Sequence, residues 1–600
     1  MNKDKICNIV TKFLLGKDIK LITGYSGGAN LPMLNSFSKN RKRIRFLKTS
    51  NEQCAGHVIE GYTKSINNRK PGVILGTSGP GVTNTITPLQ NAYCDGTPLF
   101  LISGQVGSNV IGTDAFQECD AVALTKPCTK DNHLLSTDDN IVDVLHYLYD
   151  LSMEPRYGPV HLDIPKDVMM AEVEYDEQLL VKNNVISYEN YTYYDDLITN
   201  ISNSKKPIMC LGQGCNSLDQ QQLVKMIEYF KIPVTTTLHS MGCVDTDHRL
   251  NLGMVGMHGS GAANNAIQEA DLIIGLGNRF DDRTIGNIDK YAPSAIKKYI
   301  DTDGKRGGIY HIDNSLSQLN KVSKNFSNKK YFKSIYGDTA EFVNTVSNNI
   351  NNKQCNKQWN NRIDFLKNNF VFNYEPADNN KIKTQDVISK FNEYVENNNT
   401  IERDNIIYTT GVGNHQMFTS QYIRWTKSNS MITSGSLGTM GVGVPFAIGS
   451  KLANPDKTVI CIDGDGSFCM TSSELQTIGE HIEDMRGLKI FIMNDGYQSM
   501  VKTWQDLFFD GNFIATDNKN PNFVKLAESY GIRSLKCTSK IALTDIFDIA
   551  FEDDRPLLIE FQVEYDKCLP LVCPGKALDE MLLYENDIKN NIIDKSNIPS

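Results

Sequence analysis

A chain of 600 residues is too long for one hydrophobic core and implies three or four domains. Its 61 basic and 70 acidic residues give a net charge of -9 without a long run of either sign, which excludes a broad nucleic-acid or anionic-membrane surface and leaves any anionic substrate to a few placed cations. Fourteen cysteines with no C-x-x-C pair argue against zinc and a disulfide framework; the opening MNKDKICNIVTKFLLGKDIK has neither a long apolar core nor an Arg-rich amphipathic pattern, so a soluble, cytoplasmic chain without membrane spans is expected.

In chain order, short apolar runs ending in Gly or Ser alternate with helical patterns. IKLITGYSG, RIRFLKTS, GVILGTSGPG and PLFLISGQ come first, then KPIMCLGQG, DLIIGLG and YHID, and finally IIYTTGVG, TVICIDGDG, KIFIMNDG and PLLIEFQV. This alternation predicts an α/β fold of three doubly wound parallel-sheet domains. Polar, Asn-rich stretches at 173–194 and 348–361 read as linkers, giving domains over 1–180, 195–345 and 375–570 and a tail over 571–600.

Several segments carry candidate chemistry. Glu52 opens a helix after RIRFLKTS, where a lone Glu is ordinarily a solvated residue favoured by the helix dipole. Gly24-Tyr25-Ser26-Gly27-Gly28-Ala29 precedes it and Thr77-Ser78-Gly79-Pro80-Gly81 follows. Gly464-Asp465-Gly466-Ser467 ends one strand of the third block and Asn494-Asp495-Gly496-Tyr497 ends the next. A lone GDG is often just a tight turn. In the middle block the Gly212-Gln213-Gly214 turn is short of a full dinucleotide fingerprint, and the charge cluster Arg279-Phe280-Asp281-Asp282-Arg283 is by default a solvated loop.

With Ile111-Gly112-Thr113-Asp114-Ala115-Phe116-Gln117-Glu118, Gly411-Val412-Gly413-Asn414-His415-Gln416, Ser434-Gly435-Ser436-Leu437-Gly438-Thr439-Met440-Gly441 and Met500-Val501-Lys502-Thr503-Trp504, these segments resemble the acetolactate synthase family of thiamine-diphosphate enzymes, from about residue 19 to residue 575. The resemblance implies a carboligase that decarboxylates pyruvate and joins the two-carbon unit to a second 2-keto acid, as in branched-chain amino-acid biosynthesis. It implies thiamine diphosphate, Mg²⁺ and a structural FAD as cofactors. The homodimer, or a dimer of dimers, would be the active unit, with room for a regulatory small subunit and no nucleic-acid or membrane partner.

Residue by residue, the resemblance makes Glu52 the acid that acts on the pyrimidine ring and sets Gln117 at the reacting centre. Asp465, Asp495 and Tyr497 would bind the metal, with Asn494 as the alternative to Asp495 after a one-residue slip. Gly28, Gly413, His415, Gly438, Met440, Gly466 and Ser467 would hold the thiamine cofactor, Met440 as the apolar wedge beneath its rings. Arg156, Gly212, Gly214, His258, Arg279, Asp313 and Asp338 would contact FAD. Phe116, Lys166, Arg283, Met500 and Trp504 would shape the substrate path, with Trp504 in the acceptor pocket.

The chain departs from the family pattern at Asn51 for His, Ser26 for Pro, Gly107 for Pro, Asn414 for Gln, Asp495 for Asn and Gln498-Ser499 for Leu-Gly. The changes at Asn51, Ser26, Gly107 and Gln498-Ser499 leave the cofactor apparatus in place and bear on substrate choice and rate, whereas Asn414 bears on contact with the diphosphate and Asp495 on the metal. Two other readings compete: another thiamine-diphosphate 2-keto acid decarboxylase or pyruvate oxidase, and a catalytically decayed cofactor-binding partner protein.

Overall fold

The computed structural model of the chain describes residues 2–66, 70–180, 194–349, 357–377, 380–398 and 401–584. The middle of each expected linker, residues 181–193 and 350–356, lies outside them, as do residues 585–600 of the expected tail.

Strands form where Val, Ile and Leu run almost unbroken, because a parallel sheet covered on both faces turns neither face to water. β1 (Asn2–Lys5) is followed by β2 (Leu21–Gly24), β3 (Arg45–Lys48), β4 (Gly72–Gly76), β5 (Leu99–Gln105), β6 (Asn132–Leu134) and β7 (Pro159–Pro165). β2 to β7 form a parallel sheet in the order β3-β2-β4-β5-β7-β6, and β8 (Glu172–Tyr175) returns antiparallel to β1. The second sheet, in the order β11-β10-β9-β12-β13-β14, comprises β9 (Pro207–Leu211), β10 (Val234–Thr236), β11 (Asn251–Met254), β12 (Leu272–Leu276), β13 (Ile309–Asp313) and β14 (Phe332–Tyr336).

The third sheet takes β15 (Ile382–Lys383), β16 (Ile406–Thr410), β17 (Met431–Ile432), β18 (Thr458–Gly464), β19 (Leu488–Asn494), β20 (Arg533–Cys537) and β21 (Leu557–Glu564). Its order is β15-β21-β19-β18-β16-β17, with β20 also paired to β21. All pairings within the three sheets are parallel, as the alternating pattern predicts.

The first and third sheets share one core across a pair of helices. The helix Glu52–Lys64 starts at Asn51, whose side chain accepts the Cys54 N–H at 2.8 Å and so caps the first turn. It crosses the helix Gly443–Ala453 in backbone contact, since a Cβ on Gly61 or Gly449 would strike the backbone of Phe446 or Val58. Around that crossing Ala55, Val58 and Ile59 bury against Val444, Ala447 and Ile448.

Two polar stretches hold more structure than their composition suggests. The helix Lys357–Asn369 begins inside the expected second linker and buries Trp359, whose indole N–H bonds the Pro207 carbonyl at 3.0 Å. Residue 571 opens no loose tail either: β22 (Leu571–Val572) pairs antiparallel with β23 (Met581–Leu582), and Val572 and Leu578 enter the core of the second sheet's unit. Among the described residues every cysteine is free, and no helix is long and apolar enough to cross a membrane.

Candidate active site

In parallel α/β sheets, loops at the carboxyl ends of strands form the ligand crevice. Here the loops after β16, β17, β18 and β19 face those after β9 to β12 across one cavity of about 620 Å³. Gly413, His415, Gly438, Met440, Asp465, Gly466, Ser467, Asp495 and Tyr497 all line it, so the expected thiamine and metal residues of the third block converge. Gly438 has φ +76, a conformation that favours glycine, and the Ser467 hydroxyl accepts the Gly441 N–H at 2.9 Å to tie the two loops together.

Two carboxylates dominate the cavity floor. Burial raises Asp465 above the ordinary carboxylate range, although Asn520 and Asn518 donate to it. Burial and then the charge of Asp465 push Asp495 up to about 7, against donation from the Ser499 hydroxyl and, at 3.0 Å, the Tyr497 N–H. Neighbouring buried carboxylates that oppose each other's ionisation are what a hard cation would relieve. Asn494 does not line the cavity: its amide donates to Glu560 at 2.8 Å, and its oxygen accepts at 2.9 Å from Asn520, the donor it shares with Asp465. Among the described residues no group of three or more His, Cys, Asp or Glu side chains could hold a metal, so these two carboxylates would need other oxygens to complete a coordination shell.

Among the described residues, His415 Nε2 and Asn414 Oδ1 on the cavity lining, and Asp463 Oδ2 buried behind it, have no hydrogen-bond partner. The first lies 3.2 Å from Asp463 Oδ1 without hydrogen-bond alignment. Buried polar atoms left unsatisfied cost about 1–3 kcal/mol each, so the two on the lining suit a polar ligand.

At the other end, Gly212, His258, Arg279 and Arg283 line the same cavity. Arg156, outside the lining, shares the Cys94 carbonyl with Arg279, which donates to it at 2.8 Å. Burial, with Arg279 adding to it, lowers Arg156 to about 10. Two guanidiniums on one carbonyl suit a phosphate-bearing group. Gly212 and Gly214 instead owe their identity to packing, since a Cβ on either would meet the Gly277 backbone. Asp313 and Asp338 stand outside the lining and accept backbone N–H groups, Asp338 at the start of the helix Thr339–Asn349.

Met500 and Trp504 line the cavity on the helix Ser499–Phe508, half-buried rather than in the core. Glu52, Gln117, Phe116, Lys166 and Gly28 do not line it; all stand in loops or helix starts at the carboxyl ends of strands of the first sheet. Glu52 is buried and accepts the Asn84 amide at 3.0 Å. Gln117 holds φ +63 with its carbonyl against Gly79, and Phe116 is 89% exposed. The site residues therefore fall into two halves, one in the cavity and one on the first sheet.

The loop carrying Gln117 is anchored from below. Gln105 donates to the Cys119 carbonyl at 2.9 Å and to Asp163 at 3.0 Å. Burial pushes Asp163 up from 3.8 to about 6 and its neighbour His161 down to about 3. A raised carboxylate contributes stability that is complete below its unfolded pKa and lost as pH rises through its folded one. Asp163→Asn removes that linkage, so the variant's unfolding free energy relative to wild type should rise by about 2 kcal/mol between about pH 4 and about pH 7. Urea unfolding at both pH values checks this, and a constant difference contradicts it.

Sequence reasoning passed over Asp463, Asn518, Asn520, Asp566 and His239. The first sits in the strand TVICID and reads as part of a buried run; the two asparagines follow a loop without periodicity, and nothing local marks Asp566 or His239 as facing a pocket.

Comparison with known proteins gives the family. Models of thiamine pyrophosphate enzymes match in three parts: the N-terminal TPP binding domain at residues 5–124, the central domain at 194–327 and the C-terminal TPP binding domain at 411–561. Acetolactate synthase, mitochondrial, of Schizosaccharomyces pombe is 38% identical over 96% of this chain and 85% of its own. The acetolactate synthase large subunit of Lactococcus lactis is 36% identical over 98% of each chain. The acetolactate synthase catalytic subunit, mitochondrial, of Saccharomyces cerevisiae is 35% identical over 97% and 84%.

Proposed function

Because this chain belongs to the acetolactate synthase family of thiamine-diphosphate enzymes, we propose that its two half-sites are the acid and the metal halves of one active centre, completed between two copies. The enzyme uses thiamine diphosphate to form 2-acetolactate, a carboligation. When bound, the cofactor supplies a carbon nucleophile and an electron sink for loss of CO₂ from pyruvate. Asp465 and Asp495, with the Tyr497 carbonyl, would hold Mg²⁺ against its diphosphate. His415, Gly413, Gly438, Gly466 and Ser467 would receive the phosphates, and Met440 would fix the rings from below. Glu52 would hold a proton on its carboxyl for the pyrimidine ring. The guanidinium pair Arg156 and Arg279, with His258, supports a structural FAD.

The observation that carries the two-copy reading is the separation of Glu52, Phe116, Gln117 and Lys166 from the cavity that holds Asp465 and Asp495. In a symmetric pair each first-sheet surface would face the other copy's cavity. Relatives named catalytic or large subunits support a separate regulatory partner. The cytoplasmic location stands as a proposal that fluorescence of the tagged chain tests. Pyruvate turnover with and without thiamine diphosphate, Mg²⁺ and FAD, with the product identified, tests the cofactor set: activity should need the first two and fall on removal of flavin. Full activity without Mg²⁺ overturns the role given to the two carboxylates.

Trp504 is proposed as the wall of the acceptor pocket. A flat indole packs against the extra methyl of 2-ketobutyrate, and one methylene in an apolar pocket is worth about 1–3 kcal/mol. Trp504→Leu should cut the preference for 2-ketobutyrate over pyruvate roughly ten-fold, with cofactor affinity unchanged. The product ratio in a mixture of both acids is the measurement, and a ratio that stays put removes Trp504 from the pocket.

A further inference from the structure

The loop that presents Leu437, Gly438 and Met440 to the cavity belongs to the third sheet's unit, yet much of what fixes it comes from the first. Asp95 ends the helix Ile86–Asp95 and is fully buried. Its carboxylate accepts from three parts of the chain: Lys64 Nζ at 2.7 Å from the first unit, His239 Nε2 at 3.3 Å from the second, and the Ser436 N–H at 3.0 Å from the third. Lys64 also donates to the Thr433 carbonyl at 3.1 Å and pairs with buried Glu60 at 2.8 Å. Glu60 accepts the Asn91 amide at 2.7 Å, and the Asn91 oxygen accepts Ser434 Oγ at 2.6 Å and Thr439 Oγ1 at 3.0 Å.

Residues 433, 434, 436 and 439 are thus held by Lys64, Asn91 and Asp95, none of which lines the cavity. Burying these charges is costly, and the arrangement holds only because each has partners on several sides. Burial alone would raise Asp95; Lys64 and His239 outweigh it and keep the carboxylate well below its usual range. The charge is fixed, and so is the geometry it imposes on Ser436.

We propose that Asp95 is a positioning residue for the cofactor loop, setting the stance of Leu437, Gly438 and Met440 by joining Lys64, His239 and the Ser436 N–H at the meeting point of the three units. The inference rests on reading the cavity as the thiamine-diphosphate site. It assigns Asp95 a role in cofactor affinity through a loop it does not share, at a place where no reacting atom comes.

The test is calorimetric titration of the full-length protein with thiamine diphosphate and Mg²⁺, in wild type, Asp95→Asn, Met440→Ala and the double variant. Asp95→Asn keeps the shape and loses the charge. It should weaken cofactor binding about ten-fold, the scale of a hydrogen bond to a charged group, while turnover at saturating cofactor stays within about three-fold of wild type. In the Met440→Ala background the same change should cost less than about three-fold, because residues acting through one element are not additive. An equal cost in both backgrounds, or an unchanged Kd, overturns the inference and leaves Asp95 a stabilising ion pair only. Should Asp95→Asn not fold, Asp95→Glu keeps the charge but displaces it from the Ser436 N–H and should weaken binding by about three-fold, with no change counting against the inference. A wild-type protein that binds no thiamine diphosphate overturns the reading of the cavity itself.

Discussion

Glu52→Gln is expected to lower turnover about a hundred-fold or more while the protein folds and binds its cofactor as before, since loss of a positioned acid or base costs on that scale. The fold should tolerate the change because Glu52 enters no apolar cluster, and a glutamine oxygen can still accept the Asn84 amide. What glutamine lacks is a carboxyl proton to hold for the pyrimidine ring. Steady-state kinetics at saturating thiamine diphosphate, with calorimetric cofactor affinity beside it, separates the two effects. Activity within a few-fold of wild type would remove Glu52 from the chemistry.

Asp465→Ala should fail differently, by losing the cofactor. Deleting one of two neighbouring carboxylates leaves Asp495 as the one anionic side chain beside the Tyr497 carbonyl to hold a divalent cation, so affinity for Mg²⁺ and diphosphate together should fall by more than the roughly 10–100-fold that loss of an outer-shell partner costs. Asp495→Ala should behave alike. Asn494→Ala should instead lower stability, because that amide bridges Glu560 on β21 and Asn520 in the loop that also holds Asp465. Cofactor retention on desalting reads all three variants. If Asn494→Ala strips the cofactor and Asp495→Ala does not, the assignment of the cavity-facing residue is reversed.

The strands were legible because parallel sheets write themselves as apolar runs ended by small residues, and IKLITG, GVILG, TVICID and KIFIM all stand where those runs predict. Short strands such as β10 and β17, of three and two residues, carry too little pattern to be seen. Composition misled at Lys357–Asn369, where asparagines hide a helix that buries one tryptophan, and at residues 571–584, where a short hairpin docks through Val572 and Leu578.

The cavity residues were legible where they sit in Gly-rich turns. Asp95, Asn91 and Lys64 were not, because a helix that buries charge against another unit looks in sequence like any helix with a polar face. Gly212 and Gly214 show the opposite failure: their sequence suggests a phosphate turn, and their packing against Gly277 explains the glycines without one.

If Glu52 of one copy serves the carboxylate pair of another, two inactive variants mixed together regain what neither has alone. Glu52→Gln and Asp465→Ala proteins, unfolded and refolded together in equal amounts with thiamine diphosphate and Mg²⁺, form mixed pairs in which one of the two centres has both an intact Glu52 and an intact Asp465. With random pairing across a two-fold interface, pyruvate turnover should recover to about a quarter of the wild-type level. Turnover that stays at the level of the separate variants, with mixed pairs demonstrated by differential tags, would mean that each chain supplies both halves of its own site and would contradict the account.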